Sequence, residues 1–535
     1  MNGKIGLMKM NHIKKLHIEG FKKFKEIDVE FNEHLNILVG ENEAGKSTIL
    51  EAIKIVLNQL YRNADKSILK DLFNSKNVKD FNTNPSIKSL PKILIEIEFE
   101  LDPKAKNAEY FYGELYGDLK SQDEKFGISF ECQFDEVLGA GLNAEIESGK
   151  IPYEYYSLSW KTFGNKPYQT VKKPLNFLSI DISGKDSTSS FNYYNKTLFA
   201  SRVNDEKKVN AKYQFRQKVE ESFDQIGLEP IGENRKFGVD AKKFPLEAIL
   251  SVYDNGIALE NHGSGMECLI KTHIALDKKS GLNVILMEEP ENHLCFSSLR
   301  QMLNEIVSQQ DSSQLIITTH SNMIASHLNL NNILWVANDK IESLKKVDSN
   351  DAAFFVKSDN NSFLQLLLSK KVVLVEGATE CLLFPKFYKQ ETGRSIEEDE
   401  VSVISCGGIS YKRYLSIAET TNKKVAVLTD NDGEEKRITE SATFNSNHAN
   451  QHVFMGSSVA EWTWEASVYS INQTLLDSMI NPEPRAQYLF HQKNYGPYLG
   501  KMLQNKAEMA YQMLNSKQTF AIPQYVKDAI AWLNK

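Results

Sequence analysis

Three sets of residues in this chain have the types and spacing to act on phosphate. The first is Gly40-Glu41-Asn42-Glu43-Ala44-Gly45-Lys46-Ser47-Thr48. Two glycines bound four residues, and a lysine and a hydroxyl follow, in the pattern G-x-x-x-x-G-K-S. Backbone N–H groups of such a loop, and of the helix it opens, point at phosphate oxygens. Gly40 and Gly45 let backbone approach without a Cβ. Lys46 brings a point charge to the terminal phosphates, and Ser47 a hydroxyl to Mg²⁺. Asn42, Glu43, Ala44 and Thr48 complete the expected nucleotide contact, so ATP with Mg²⁺ is the expected ligand.

The second set supplies what a phosphate loop needs for hydrolysis. The apolar run Leu282–Met287 ends in Glu288-Glu289-Pro290-Glu291-Asn292-His293. One carboxylate at a core strand end can hold Mg²⁺ through water, and a second can activate the attacking water. The order assigns Glu288 the first role and Glu289 the second. Further on, Gln314–Thr319 is another apolar run, and it ends at His320. That histidine is placed to reach the γ-phosphate.

The third set is acidic. Lys371–Val375 runs into Glu376-Gly377-Ala378-Thr379-Glu380, and Val425–Leu428 runs into Thr429-Asp430-Asn431-Asp432. Hard oxygen ligands without a neighbouring His or Cys cluster select Mg²⁺ or Mn²⁺. Glu376, Glu380, Asp430 and Asp432 at adjacent strand ends would make a centre for phosphodiester cleavage.

The elements that must position these residues are legible in outline. A strand before Gly40 and a helix from Ile49 to Leu57 frame the first loop. Ile13–Phe31 reads as two strands around a turn. Pro91–Leu101 has apolar residues at every second position, the pattern of a half-buried strand. Phe126–Phe134 and Tyr153–Phe163 read as further strands. Ser183–Asn195 is loop-like in composition, and Leu198–Ile226 reads as helical. Residues 183–235 are therefore expected to be a helical insertion, a candidate dimerisation element. In the C-terminal part, Val401–Ser405 adds a third strand, ending near Gly407-Gly408, and Cys381–Tyr388 a helix. Loaded C-terminal strand ends suit a small parallel α/β sheet.

With 535 residues, more than one domain is expected. The split of 41% hydrophobic and 25% charged residues is that of a globular protein, and no run is long enough to span a membrane. Five scattered cysteines without a C-x-x-C pair predict reduced thiols and a cytoplasmic setting. The net charge of −7 requires any basic surface to be local. The clusters Lys14-Lys15, Lys22/Lys23/Lys25 and Lys423-Lys424 are expected to be solvated faces.

Leu16–Phe24 resembles the opening strand of recombination-type ATP-binding-cassette (ABC) ATPases. His262-Gly263-Ser264-Gly265-Met266-Glu267 resembles their signature loop, with Met266 where a second glycine is common. The resemblance implies that Ser264 and Gly265 complete the nucleotide site of a second copy. Over residues 1–345 the motifs resemble the ATPase head shared by structural-maintenance-of-chromosomes proteins and OLD (overcoming lysogenisation defect) proteins. Glu-Gly-x-x-Glu followed by Asp-x-Asp resembles a Toprim domain, here within residues 346–535 with a C-terminal helical extension. Glu461-Trp462-Thr463-Trp464-Glu465 resembles the OLD stretch that donates an extra metal ligand, implying Glu465, with Glu461 as second choice. Lys506 matches in position a lysine near the scissile phosphate, although Ala507 stands where glycine is usual.

The expected fold is α/β: an ABC-type P-loop ATPase head with a helical insertion, then a Rossmann-like Toprim domain. The resemblance implies an ATP-hydrolysing, metal-dependent endonuclease acting on double-stranded DNA in anti-phage defence. It further implies a homodimer or larger homo-oligomer and an accessory partner encoded nearby. An ATP-gated DNA sensor or clamp without cleavage, and a Toprim nuclease acting on RNA, are the alternatives left open.

Overall fold

The computed structural model describes residues 10–535, except 105–106, 114–124, 181–186, 230, 232–234, 236, 241–242, 244, 278–280, 309–312, 338–339, 348–349, 352–353, 356–361, 408–409, 483–488 and 492. The chain packs as two compact units, Met1–Leu328 with Asn332–Ser343, and Asn329–Asn331 with Leu344–Lys535. Among the described residues no helix is long and apolar enough to cross a membrane, and the five cysteines are free.

The first unit has two sheets. In one, strand His12–Phe21 pairs antiparallel with Phe24–Glu30 on one side and Ile93–Glu100 on the other, and Lys125–Phe134 and Tyr156–Thr162 continue it. The alternation along Ile93–Glu100 turns Ile95, Ile97 and Phe99 into the core. In the other sheet, the phosphate-loop strand Leu35–Gly40 lies between Ile333–Ala337 and Gln314–Thr319, followed by Val284–Glu288 and Phe177–Ile180. These strands are parallel, and the antiparallel Lys340–Ser343 closes one edge. The strand ending before His320 therefore sits between the phosphate-loop strand and the strand ending at Glu288. All three deliver their ends to one edge of the sheet.

Helix Lys46–Asn58 fills the core between the sheets, burying Ile49, Leu50, Ile53 and Val56. Its C-terminal carbonyls, which a helix cannot satisfy internally, are met by aromatic donors. Trp160 Nε1 donates to Ile55 O at 2.9 Å and Tyr168 OH to Leu57 O at 3.3 Å. Gln314 ties the sheets together: its Nε2 donates to Ile13 O (2.8 Å) and Asn32 O (2.9 Å), and its Oε1 accepts from Ile13 N (2.9 Å).

The loop-like reading of Ser183–Asn195 is corrected from residue 187 on. A helix spans Ser187–Arg202 and a second spans Asp205–Gln225, with Asn204 Oδ1 accepting from Lys207 N at 2.9 Å. Ser, Thr and Asn in a helix's first turns resemble loop composition, which is why the start was misplaced. Residues 183–186 lie outside the described set. Helix Asp205–Gln225 has no buried residue, and it exposes Val209 and Tyr213.

The second unit has a four-stranded parallel sheet in the order Val401–Ser405, Lys371–Val375, Lys424–Leu428, Gln451–Phe454. The fourth strand, four residues long and interrupted by His452, gave no alternating signal. The helix read as Cys381–Tyr388 extends over Ala378–Thr392. Gly408, half of the double glycine after Val401–Ser405, lies outside the described residues. Helices Trp464–Ile471, Pro497–Gln504, Lys506–Asn515 and Gln524–Leu533 pack against this sheet and helix through Val468, Met509, Met513, Val526 and Ile530.

Candidate functional sites

At the sheet edge of the first unit, a cavity of ≈ 630 Å³ is lined by Asn42, Glu43, Ala44, Gly45, Lys46, Ser47 and Thr48 together with Glu289 and His320. Gly45 has φ +106°, and a Cβ there would meet the Phe24 ring at 2.3 Å. A Cβ on Gly40 would meet Val336 O at 2.4 Å. The first glycine is thus demanded by the neighbouring strand, and the second by a left-handed turn under an aromatic ring. Lys46 is 5% exposed. Its Nζ donates to Gly40 O at 3.0 Å and to Glu41 O at 3.1 Å. Burial holds its ammonium below the ordinary lysine value, against the pull of Glu289 and Glu291.

Glu289 stands at φ +41°, outside the range a glutamate prefers, with its N–H on Thr318 O at 3.0 Å. Its Oε1 lies 3.2 Å from His320 Nε2, and its Oε2 accepts from Asn292 at 2.8 Å. Burial first, and then Lys46, keep the His320 imidazole below its ordinary pKa. A neutral ring beside a carboxylate is able to relay a proton. Glu288 ends its strand with its carboxylate 4.0 Å from Lys54 on the phosphate-loop helix, and it is not among the residues lining the cavity.

Two features escaped sequence reasoning. Lys22, half-buried, and Lys23, exposed, also line the cavity, Lys22 paired with Glu51 and Lys23 bonded to Glu43 O. Glu291 Oε1 accepts from Thr319 Oγ1 (2.6 Å), His320 N (2.8 Å) and Ser321 N (3.1 Å). It pins the turn that carries His320. Its Oε2 is buried without a hydrogen-bond partner among the described residues. A buried oxygen left open and a lysine resting on loop carbonyls fit a site built to take a magnesium nucleotide. Glu291→Ala is expected to lower ATP turnover about 10- to 100-fold through misplacement of His320. Nucleotide affinity should stay within a few-fold of wild type and Glu291→Gln should restore most turnover, as read by kcat and by equilibrium binding.

Ser264 and Gly265 begin helix Ser264–Leu276 and do not line this cavity. Ser264 is exposed. A Cβ on Gly265 would meet His293 O at 2.6 Å, so the helix start is pressed onto the turn that follows Glu289. One turn in, Glu267 and Lys271 form a buried ion pair at 2.5 Å.

In the second unit, Glu376, Glu380, Asp430, Glu465 and Lys506 share one electrostatic neighbourhood at the C-terminal edge of the parallel sheet. Glu376 Oε1 accepts from Asp430 N at 3.0 Å and from the Thr429 hydroxyl. Glu380, in the first turn of its helix, accepts from Gly377 N at 3.1 Å. Asp430 Oδ1 accepts from Trp464 N at 2.8 Å. Thr463 caps helix Trp464–Ile471, its Oγ1 accepting from Ala466 N at 3.2 Å. The cap turns Glu465 inward, where it is 1% exposed and 2.8 Å from Lys506 Nζ. Glu461 lies before the cap and faces Ser457 at 3.4 Å.

Asp432 does not join the cluster. It has φ +53° and its exposed carboxylate is paired with Arg437. Between the two aspartates, Asn431 is fully buried and pins the loop through Gly456 O and Ser458 O, both at 3.0 Å. Of the two tryptophans, Trp464 is buried in the core, and Trp462 stacks on Tyr495 at 4.9 Å.

Burial, with Glu465 and Glu376 nearby, pushes Glu380 up to about 7. Burial with Glu376, Glu465 and Glu380 pushes Asp430 up to about 8. Burial alone would lower Lys506, but Glu465 and Asp430 hold its ammonium above the ordinary value. Four carboxylates facing one ammonium, all with oxygen donors, are a set that a divalent cation would neutralise. Among the described residues no three such side chains are already arranged around one point.

A stability consequence follows. The unfolded values are 4.5 for Glu380 and 3.8 for Asp430. Through the window from about 4 to about 8, the folded chain holds protons that the unfolded chain has released. This contribution to stability is therefore lost as pH rises. In EDTA, the second unit is expected to melt several degrees lower at about pH 8.5 than at about pH 5.5. Mg²⁺ or Mn²⁺ should narrow the gap, and Asp430→Asn should too. Thermal scans at both pH values check this.

With both sites placed, comparison with known proteins adds the family. The family described as "AAA domain" matches residues 15–380. That described as "Overcoming lysogenization defect protein-like, TOPRIM domain" matches residues 367–432. The chain is 29% identical over 177 residues to the Old nuclease of Escherichia phage P2, a match covering 30% of each chain. It is 22% identical over 452 residues to Endonuclease GajA of Bacillus cereus (strain VD045), covering 78% of this chain and 75% of that one. Among solved structures, the Smc head bound to the C-terminal winged-helix domain of ScpA aligns at 17% identity over 63% of this chain and 100% of that chain, with a TM-score of 0.35. The chain belongs to the AAA-domain family, and its residues 367–432 match an OLD-like Toprim domain.

Proposed function

We propose that this protein is an ATP-hydrolysing, metal-dependent endonuclease that cuts DNA phosphodiesters in defence against phage. The observation that carries the reading is the crowding of Glu376, Glu380 and Glu465 about Asp430 at one sheet edge, with Lys506 paired to Glu465. A structural module has no use for so costly a set of buried acids. The names of its relatives, a nuclease and an endonuclease, support it.

Glu376, Asp430 and Glu465 are the residues that would hold the cation, with Glu380 beside them. Bound there, Mg²⁺ or Mn²⁺ would supply the charge that stabilises attacking and leaving oxygens of a phosphodiester. Lys506 offers a second positive charge to the same phosphate. Glu380, held near neutrality, is able to take and return a proton at its carboxylate. In the first unit, Lys46 and the loop N–H groups bind the nucleotide phosphates. Glu289 orients water and accepts its proton, with His320 beside it. Ser264, exposed at its helix start, is offered to the nucleotide of a second copy, so a homodimer is the working assembly.

Plasmid cleavage by the purified protein tests the reading, with Mg²⁺ or Mn²⁺, with and without ATP. Nicking or linearisation that depends on the metal is the expected result. No cutting of DNA, with cutting of total cellular RNA under the same conditions, would replace the substrate. No cutting of either would remove the nuclease reading.

A further inference from the structure

The second unit holds a concavity that the carboxylate cluster does not fill. A cavity of ≈ 1020 Å³ has walls from helices Tyr411–Thr420 and Glu435–Asn447 and a floor from strands Lys424–Leu428 and Gln451–Phe454. Helix Glu435–Asn447 has no buried residue, although it packs along strand Gln451–Phe454. Its inner face explains this. Arg437, Ser441 and Phe444 recur at i, i+4 and i+7, one side of a helix, and they line the cavity together with His448, just past the helix end. From the opposite wall Tyr411 and Leu415 face the same space. The two inner faces meet a void, not each other.

The lining combines aromatic and apolar groups that suit a base with charged ones, Lys412, Glu419 and Glu440 among them. Phe444 and His448 stack on each other at 3.9 Å with their planes 15° apart, an aromatic pair set in the wall. Val427 and Val453 supply an apolar floor, and Gln451 a buried amide. Concave sites with an apolar lining and a few fixed polar groups are how proteins take small planar ligands. The position matters as much. Glu376, which belongs to the acidic cluster, also lines this cavity, and the Asp432–Arg437 pair stands with it. A phosphate held at the cluster would lie at the edge the two sites share, with the cavity open to its nucleoside. A base within an intact duplex cannot enter such a recess without leaving the stack.

We infer that this cavity is a nucleobase site: it receives one unstacked base whose phosphate lies at the Glu376 edge, with Arg437 available to that phosphate. The inference rests on the nuclease reading of the carboxylate cluster. A base in the substrate strand and a free nucleotide present the same chemistry, and the experiment separates them.

Full-length Asp430→Asn protein is mixed, with Mg²⁺, with duplexes carrying 2-aminopurine at successive positions around the cut made by wild type. Fluorescence should rise about threefold or more at one position as the base leaves the stack. Ser441→Trp, which fills the cavity from the helix side, should abolish the rise while ATP hydrolysis stays at the wild-type rate. Phe444→Ala should weaken the response about tenfold through loss of stacking. In parallel, nucleoside monophosphates are titrated calorimetrically into Lys46→Ala protein, in which the phosphate loop is disabled. A 2-aminopurine signal lost on Ser441→Trp assigns the site to a strand base. Monophosphate binding lost on Ser441→Trp, without that signal, assigns it to a free nucleotide. Neither effect, with wild type still cutting, overturns the cavity proposal alone. Neither effect, with no cutting of DNA or RNA by wild type, removes the nuclease reading and this proposal together.

Discussion

Replacing Asp430 by alanine is expected to reduce plasmid cleavage by about 10²- to 10⁴-fold, the scale on which loss of an electrostatic catalytic group is felt. Folding should not suffer in the same measure. Asp430 is a half-buried carboxylate pushed up to about 8, foremost by loss of solvent around it and then by Glu376, Glu465 and Glu380. Its removal relieves that repulsion in the metal-free protein. The opposing loss is one acceptor for Trp464 N, about 1 kcal/mol. The two nearly offset at neutral pH, so the variant should melt at or above the wild-type temperature in EDTA while cutting is lost. ATP hydrolysis should be untouched. A variant that cut normally would show that the cluster is not the cutting centre. A large fall in melting temperature would show that Asp430 serves the fold.

The second large effect is expected at Lys46. Its alanine variant should lose ATP binding by about 100-fold or more and ATP turnover to background, since a buried ammonium is lost from a phosphate site. Lys46 has no structural errand that alanine would betray. Its two bonds are to loop carbonyls at 3.0 and 3.1 Å, and Gly45 keeps the turn. The melting temperature without nucleotide should therefore hold, and stabilisation by added ATP should vanish. Cleavage without ATP should persist in Lys46→Ala, and any response of cleavage to ATP should disappear. Retained ATP-dependent stabilisation would overturn the assignment.

The sequence made these two residues legible for a local reason. Lys46 sits in a contiguous loop bounded by a strand and a helix, and Asp430 comes just after the apolar run Val425–Leu428, so short-range pattern sufficed to single them out. Glu291 was invisible as a clamp because its donors at Thr319, His320 and Ser321 come from a distant strand end. Asp432 was grouped with the metal set on spacing. Its left-handed backbone and Arg437, one turn into the next helix, decide where it points. The pair Glu461 and Glu465 stayed open in sequence, since both flank the same tryptophans. The start of one helix, set by Thr463, turns only Glu465 toward Lys506. Lys22 and Lys23 keep contact with solvent, and nothing nearby in sequence says that their turn also borders the phosphate loop. What failed was, each time, a side-chain direction set by tertiary neighbours.

The amide of Gln314 has a practical consequence. It is the rivet between the opening strand and the strand that delivers His320, bonded to Ile13 across a separation of 301 residues. The two lobes of the first unit are therefore not interchangeable parts. A chimaera that borrows strand His12–Phe21 from another protein must bring a backbone that offers the same donor and acceptor to position 314. Shortening the chain from its start to beyond Ile13 leaves the Gln314 oxygen buried without its donor and its Nε2 with Asn32 O alone, and so injures nucleotide turnover from the far end of the polypeptide.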